Sequence, residues 1–291
     1  DCMKLVADKC DSAAAVSFMD LSVEAEAFGA EVCFFDDEVP AVRGAMVTTM
    51  EEAEALPVPP VYSGRIGTFV EAIKLAVEEI QDRPVFAGAI GPFSLAGRLV
   101  DVGEAMMLCY DEPELLHTLL EKCTEFSIGY IRELKKAGAN GVMLAEPLAG
   151  LISPNHESEF STPYVKKIVD AVQEEDFLVI YHNCGNYAYL MTDAIKENGC
   201  KAFHFGNSMD MLTLLEKMPR DVLVMGNIDP AGLFRNGGPV AMEAAVLDLM
   251  DRCGSYANFI PSSGCDVPPA TPWKNIEAFY NSVNKYYSER N

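Results

Sequence analysis

His182 and Cys184 stand two positions apart at the end of an apolar run, LVIYHNCGNY, and a further thiol, Cys265, follows Gly264 late in the chain. On an extended strand, residues i and i+2 point to the same side, so the imidazole and the first thiol face one way. Gly264 lets the backbone turn and bring the Cys265 thiol inward. Two thiolates and one imidazole are suitable zinc ligands, and three protein ligands leave a fourth position for water, substrate or a weak protein ligand. That is the catalytic rather than the structural pattern. The same residues also suit plain packing. Free cysteine is commonly buried, and a histidine at a strand end is often a hydrogen-bonded core residue. The choice depends on the elements that hold the three.

Short apolar, β-rich runs recur between amphipathic stretches, at positions 14–22, 31–36, 84–91, 141–148, 177–183, 201–206, 222–229 and 258–264. Most are continuously apolar rather than alternating, as parallel strands covered on both faces should be. Helical patterns separate them, over 67–82, 113–139, 153–175, 192–199, 208–218 and 237–254. The 113–139 stretch opens with a proline and ends at a glycine. Eight such strands alternating with helices in a chain of this length predict an α/β fold, a (β/α)8 TIM barrel. No linker-like shift in composition divides residues 1–291, so a single catalytic barrel domain is expected. A doubly wound open sheet is the alternative, but no Gly-rich dinucleotide fingerprint follows the first strand.

In a parallel barrel, chemistry sits where the strands run out at their C-terminal ends. The polar residues there are Asp20 and Ser22, Asp36 and Asp37, Glu146, then Tyr181, His182, Asn183 and Cys184. His204, Asn207, Asn227, Asp229, Ser262, Ser263, Cys265 and Asp266 complete the set. His182, Cys184 and Cys265 are the candidate metal ligands. Glu146 is a candidate general base, weak ligand or partner for His182, and it would equally serve in a salt bridge across the mouth. Asp20, Tyr181, Asn183, His204, Asn227, Asp229 and Ser263 are the candidate lining of a cofactor site, with a structural role the commoner one for a histidine such as His204. His117 and His156 lie in helical surroundings and read as packing or surface residues. Cys2, Cys10, Cys109, Cys123, Cys200 and Cys253 have no partner at ligand spacing.

The formal net charge is -22, which repels phosphate backbones and anionic lipid, so neither nucleic acid nor a membrane surface is an expected partner. Nine scattered cysteines do not make a secreted disulfide framework, and reduced thiols imply a cytoplasmic protein. No apolar run approaches the ~18 residues of a membrane span. Residue 1 is Asp rather than Met, so the chain is expected to lack its native start.

Several stretches carry a family likeness: SFMDLSVEAEAFGAEV, AIGPFSLAG, GANGVMLAEPLAGLISP, YHNCGN, GNIDPAGLFRNG and SSGCDVPPATPWKNIEAF. In this order they resemble the uroporphyrinogen decarboxylase superfamily. His-x-Cys-Gly together with the late Gly-Cys-Asp resembles its corrinoid-dependent methyltransferase branch, which includes the methylcobamide:coenzyme M methyltransferases. The resemblance implies a (β/α)8 barrel and a zinc ion on His182, Cys184 and Cys265. It also implies methyl transfer between a corrinoid, usually carried by a small partner protein, and a small thiol such as coenzyme M or homocysteine. Two alternatives remain open: a tetrapyrrole decarboxylase that needs no metal, and a non-catalytic accessory protein binding corrinoid or metal.

Overall fold

A computed structural model describes residues 2–36 and 38–290; Asp37, one of the expected strand-end acids, lies outside the described residues. The first strand, β1 (Ala15–Val16), is short. β2 (Glu31–Cys33) and β3 (Ala41–Arg43) form a separate antiparallel hairpin, with Glu31 opposite Arg43. β4 (Val85–Ile90), β5 (Gly141–Ala145), β6 (Leu178–Asn183), β7 (Ala202–Phe205), β8 (Leu223–Ile228) and β9 (Phe259–Ser263) follow. Among the described residues β1 and β4 to β9 make one parallel sheet in sequential order.

The expected eight-strand barrel is therefore corrected to a seven-stranded parallel sheet among the described residues. The run at 31–36 was expected to be a barrel strand. It pairs instead with a neighbour across a short connection, which antiparallel strands permit and parallel ones do not. Its exposure agrees: Glu31 is exposed, and Phe34 and Phe35 just past the strand are 60% and 51% exposed, unlike a strand sandwiched between layers.

The sheet curls. Lys9, ahead of β1, lies 4.5 Å over the Trp273 ring of the helix Trp273–Ser288 that follows β9. The Cys10 thiol is hydrogen-bonded to Tyr280 of the same helix. Segments flanking the two edge strands thus meet.

Register divides every strand into two faces. Val142, Leu144, Val179, Tyr181, Phe203, Phe205 and Val224 point outward into the main core shared with the helices. Alternate residues, Phe86, Met143, Ile180, Ala202 and Met225 among them, form a smaller cluster on the inner face. The 24-residue helix Pro113–Lys136 supplies much of the outer packing through Leu116, Leu119, Leu120, Phe126, Tyr130 and Ile131. The expected helix at 153–175 breaks into Pro154–Phe160 and Thr162–Val172, with a proline opening each. Pro92–Val100 and Val102–Asp111 are helices absent from the sequence reading, inserted between β4 and the long helix. Among the described residues no helix is long and apolar enough to cross a membrane.

Candidate metal centre

β6 runs in register with β5 on one side and β7 on the other, so Ala145, His182 and His204 lie side by side. His182 shares parity with Ile180 and therefore faces inward, and Cys184 keeps that direction just past the strand end. Cys265 follows β9 by two residues, beyond Gly264, whose N–H donates to the Ile228 carbonyl at 2.8 Å. The turn carries the thiol to the mouth. One ligand atom each from His182, Cys184 and Cys265 lies within 4.8 Å of the others, and this is the one such cluster among the described residues. His182 Nε2 is 3.7 Å from Cys265 Sγ. His182 is buried, whereas both thiols are half-buried and open to an incoming group.

The two thiols act on one another. Contact with the Cys184 thiol holds the Cys265 thiol well below the ordinary range. The Cys184 thiol moves up, because its proton is shared with Cys265 and because it is buried. One sulfur of the pair thus carries charge more readily than the other.

Behind the cluster, His182 Nδ1 lies 2.7 Å from His204 Nδ1. His204 Nε2 is 2.8 Å from the Ser263 carbonyl oxygen and 3.0 Å from Ser262 Oγ. Burial lowers the His204 pKa to about 3, helped by the neighbouring His182.

Other candidates are placed elsewhere. Glu146 follows Ala145 by one position, so its carboxylate takes the opposite parity and points into the helix layer, away from the thiols. It is 0% exposed. Its oxygens accept from the Ser94 N–H at 2.6 Å and the Phe93 N–H at 3.2 Å, at the start of Pro92–Val100. A carboxylate there meets the positive end of the helix dipole. Burial still raises its pKa to about 7.

Tyr181 and Asn183 share the outward parity and are fully buried. The Asn183 amide donates to Tyr181 Oη at 3.1 Å and accepts from the Gly185 N–H at 2.9 Å, which pins the turn that carries Cys184. The Asn227 amide donates to the carbonyls of Gly206 and Met209. Asp229 accepts from the Ala231 and Gly232 N–H groups, capping the turn Pro230–Arg235. Asp20 is bound by Arg65 at 2.6 Å and by the Ser22 hydroxyl at 2.6 Å. Arg65 also reaches Glu26 and lies 4.8 Å over the Phe34 ring. The structure thus brings His182, Cys184, Cys265, His204 and Ser263 together, and sets Glu146, Asp20, Tyr181 and Asn183 in work of other kinds.

Gly150 packs against Gly185 beside the turn that carries Cys184, and with no side chain it gives no chemical signal in the sequence. Two residues onward from Ile180 and from Ala202, both inward-facing, the His182 and His204 rings stand in one row, which the register of β6 on β7 fixes.

The uroporphyrinogen decarboxylase (URO-D) family profile matches residues 5–286. A methylcobamide:CoM methyltransferase of Methanosarcina acetivorans is 28% identical over 272 residues, covering 92% of this chain and 78% of that protein. A uroporphyrinogen decarboxylase of Coxiella burnetii is 26% identical over 284 residues, covering 94% of this chain and 77% of the relative. Among solved structures, a methyltransferase from Methanosarcina mazei superposes with a TM-score of 0.87 at 24% identity, covering 98% of this chain and 84% of its own. The shared fold extends over nearly the whole chain.

Proposed function

This chain belongs to the uroporphyrinogen decarboxylase family, and we propose that within it the chain is a zinc-dependent methyltransferase. It would move methyl between a corrinoid and a small thiol such as coenzyme M or homocysteine. The observation that carries this reading is the convergence of a His182 ring nitrogen, Cys184 Sγ and Cys265 Sγ within 4.8 Å. The similarity to methylcobamide:CoM methyltransferases supports it.

The donor set fits zinc. Two sulfurs and a ring nitrogen facing one another repel unless protons or a cation lie between them. Tetrahedral zinc, with bonds of ~2.3 Å to sulfur and ~2.0 Å to nitrogen, sets neighbouring ligand atoms roughly 3.5–3.8 Å apart. The His182–Cys265 separation of 3.7 Å matches. Bound there, zinc would act as a Lewis acid that lowers the pKa of a thiol substrate.

The chain's own groups hold and orient. Half-buried Cys184 and Cys265 present their sulfurs to the mouth, and buried His182 backs them. In the methylating direction, the substrate S–H bond breaks and its proton passes to solvent. A sulfur–methyl bond forms, and the cobalt–carbon bond of the corrinoid breaks with its electron pair left on cobalt. We take the corrinoid to arrive on a small partner protein, with the chain acting as a single catalytic domain. Nine unpaired cysteines support a cytoplasmic setting.

Decarboxylase relatives favour a second reading, a tetrapyrrole decarboxylase, in which the three donors have no catalytic task. Metal analysis of the wild type and Cys265→Ala, with methylcobalamin demethylation measured against a panel of thiols, separates the two. About one zinc per chain, lost in the variant together with thiol-dependent turnover, supports methyl transfer. A folded wild type that stays metal-free in zinc overturns it. Decarboxylation of uroporphyrinogen untouched by Cys265→Ala would establish the second reading.

A further inference from the structure

We propose that His204 is a positioning residue: one ring that fixes which nitrogen His182 presents to the thiols and braces the two chain segments that carry the ligands. The inference rests on His182 being a metal ligand, as in the function proposed above. It also makes a claim about the protein without metal.

The hydrogen-bond chain has one consistent direction. The Ser263 carbonyl only accepts, so the ring nitrogen 2.8 Å away, His204 Nε2, carries a hydrogen. In a neutral imidazole the other nitrogen, Nδ1, is then a lone pair. His182 Nδ1 stands 2.7 Å from that lone pair, so it carries the hydrogen they share. His182 Nε2 is left as the lone pair, and it faces Cys265 Sγ at 3.7 Å. A metal-binding imidazole needs this tautomer, and an acceptor behind its second nitrogen selects it.

The same ring ties β6 to β9 across β8. His204 on β7 contacts His182 on β6 and both Ser262 and Ser263 at the end of β9. Cys184 follows the first contact by two residues, and Cys265 follows Ser263 by two. All three proposed ligands are therefore anchored through one side chain. His204 itself offers no free nitrogen, because both are engaged.

Two variants separate positioning from bulk. Glutamine at 204 supplies a carbonyl acceptor for His182 and an N–H donor for Ser263, whereas leucine fills the space with neither. Zinc affinity, measured by competition with a chromophoric chelator, should fall about 10- to 100-fold in His204→Leu and recover to within a few-fold in His204→Gln. Nitrogen-15 NMR of the histidine rings in metal-free wild type should show His182 protonated at Nδ1 and His204 at Nε2. Wild-type zinc affinity in a folded His204→Leu, or the opposite tautomer at either ring, overturns the inference. A wild type that binds no zinc but shows these tautomers would sink the metal reading while leaving the relay standing. If leucine prevents folding, the tautomers and the His204→Gln affinity decide.

Discussion

Gly185 and Gly150 meet backbone to backbone: a Cβ built on Gly150 would lie 2.6 Å from the Gly185 Cα. One glycine follows Cys184 directly and the other closes the short turn Leu148–Gly150 after β5. Their contact seats the turn that presents a proposed ligand to the mouth.

Any side chain at this contact must push the two turns apart. Gly185→Ala should destabilise the protein by about 1–3 kcal/mol, in the range of overpacking a filled interior. It should weaken zinc binding as well, because Cys184 moves with the turn. Urea unfolding and chelator competition check both effects. Wild-type values in both would show that the turns can part freely.

The neighbouring Cys184 thiol lowers the Cys265 pKa, while burial raises those of Cys123 and Cys200 and lifts Cys109 to about 12. Thiolate is the alkylating species. In metal-free protein at about pH 6, iodoacetamide should therefore label Cys265 well before Cys109, Cys123 or Cys200. Zinc should protect it. Peptide mass mapping over time reads the order, and slow, zinc-insensitive labelling of Cys265 would contradict the expected thiolate.

Glu24 is buried, with its Oε1 accepting from the Ile90 N–H at 2.9 Å, and burial raises its pKa to about 7 from an ordinary 4.5. The folded state thus holds this proton more tightly than the unfolded chain. Its contribution to stability is fully present below about pH 4.5 and is lost as pH rises through 7. Between these limits Glu24→Gln should remove a slope of roughly 1.4 kcal/mol per pH unit. Urea midpoints across that range test it; parallel pH profiles for the two proteins would refute the buried-proton account.

Arg65 joins Asp20, Glu26, Ser22 and Phe34 at a side-chain exposure of 26%. Burial alone would raise the Asp20 pKa, but the Ser22 and Arg65 hydrogen bonds outweigh it and hold it below the ordinary range. Arg65→Leu strands both carboxylates and should cost about 2 kcal/mol, less than breaking a fully buried pair because solvent screens part of the attraction. Denaturant unfolding at neutral pH measures this. Restored stability in Arg65→Leu/Asp20→Asn would identify the stranded charge as the cause.

Short-range periodicity settled much of this protein before any contact was known. Continuous apolar runs marked β4 to β9, and the spacing of two between His182 and Cys184 aimed both side chains at the same face, because strand parity is a local property of the backbone. It could not say that Glu146, one residue beyond Ala145, would cap the Pro92–Val100 helix, since that depends on which strand end parity points at which helix. Nor could it tell that the 31–36 run would fold back on Ala41–Arg43, because apolar residues suit either partner. The row of His182, His204 and Ser263 needed the register of β6 on β7 and the curl that brings β9 across. Those are long-range pairings, and the tertiary structure alone decides them.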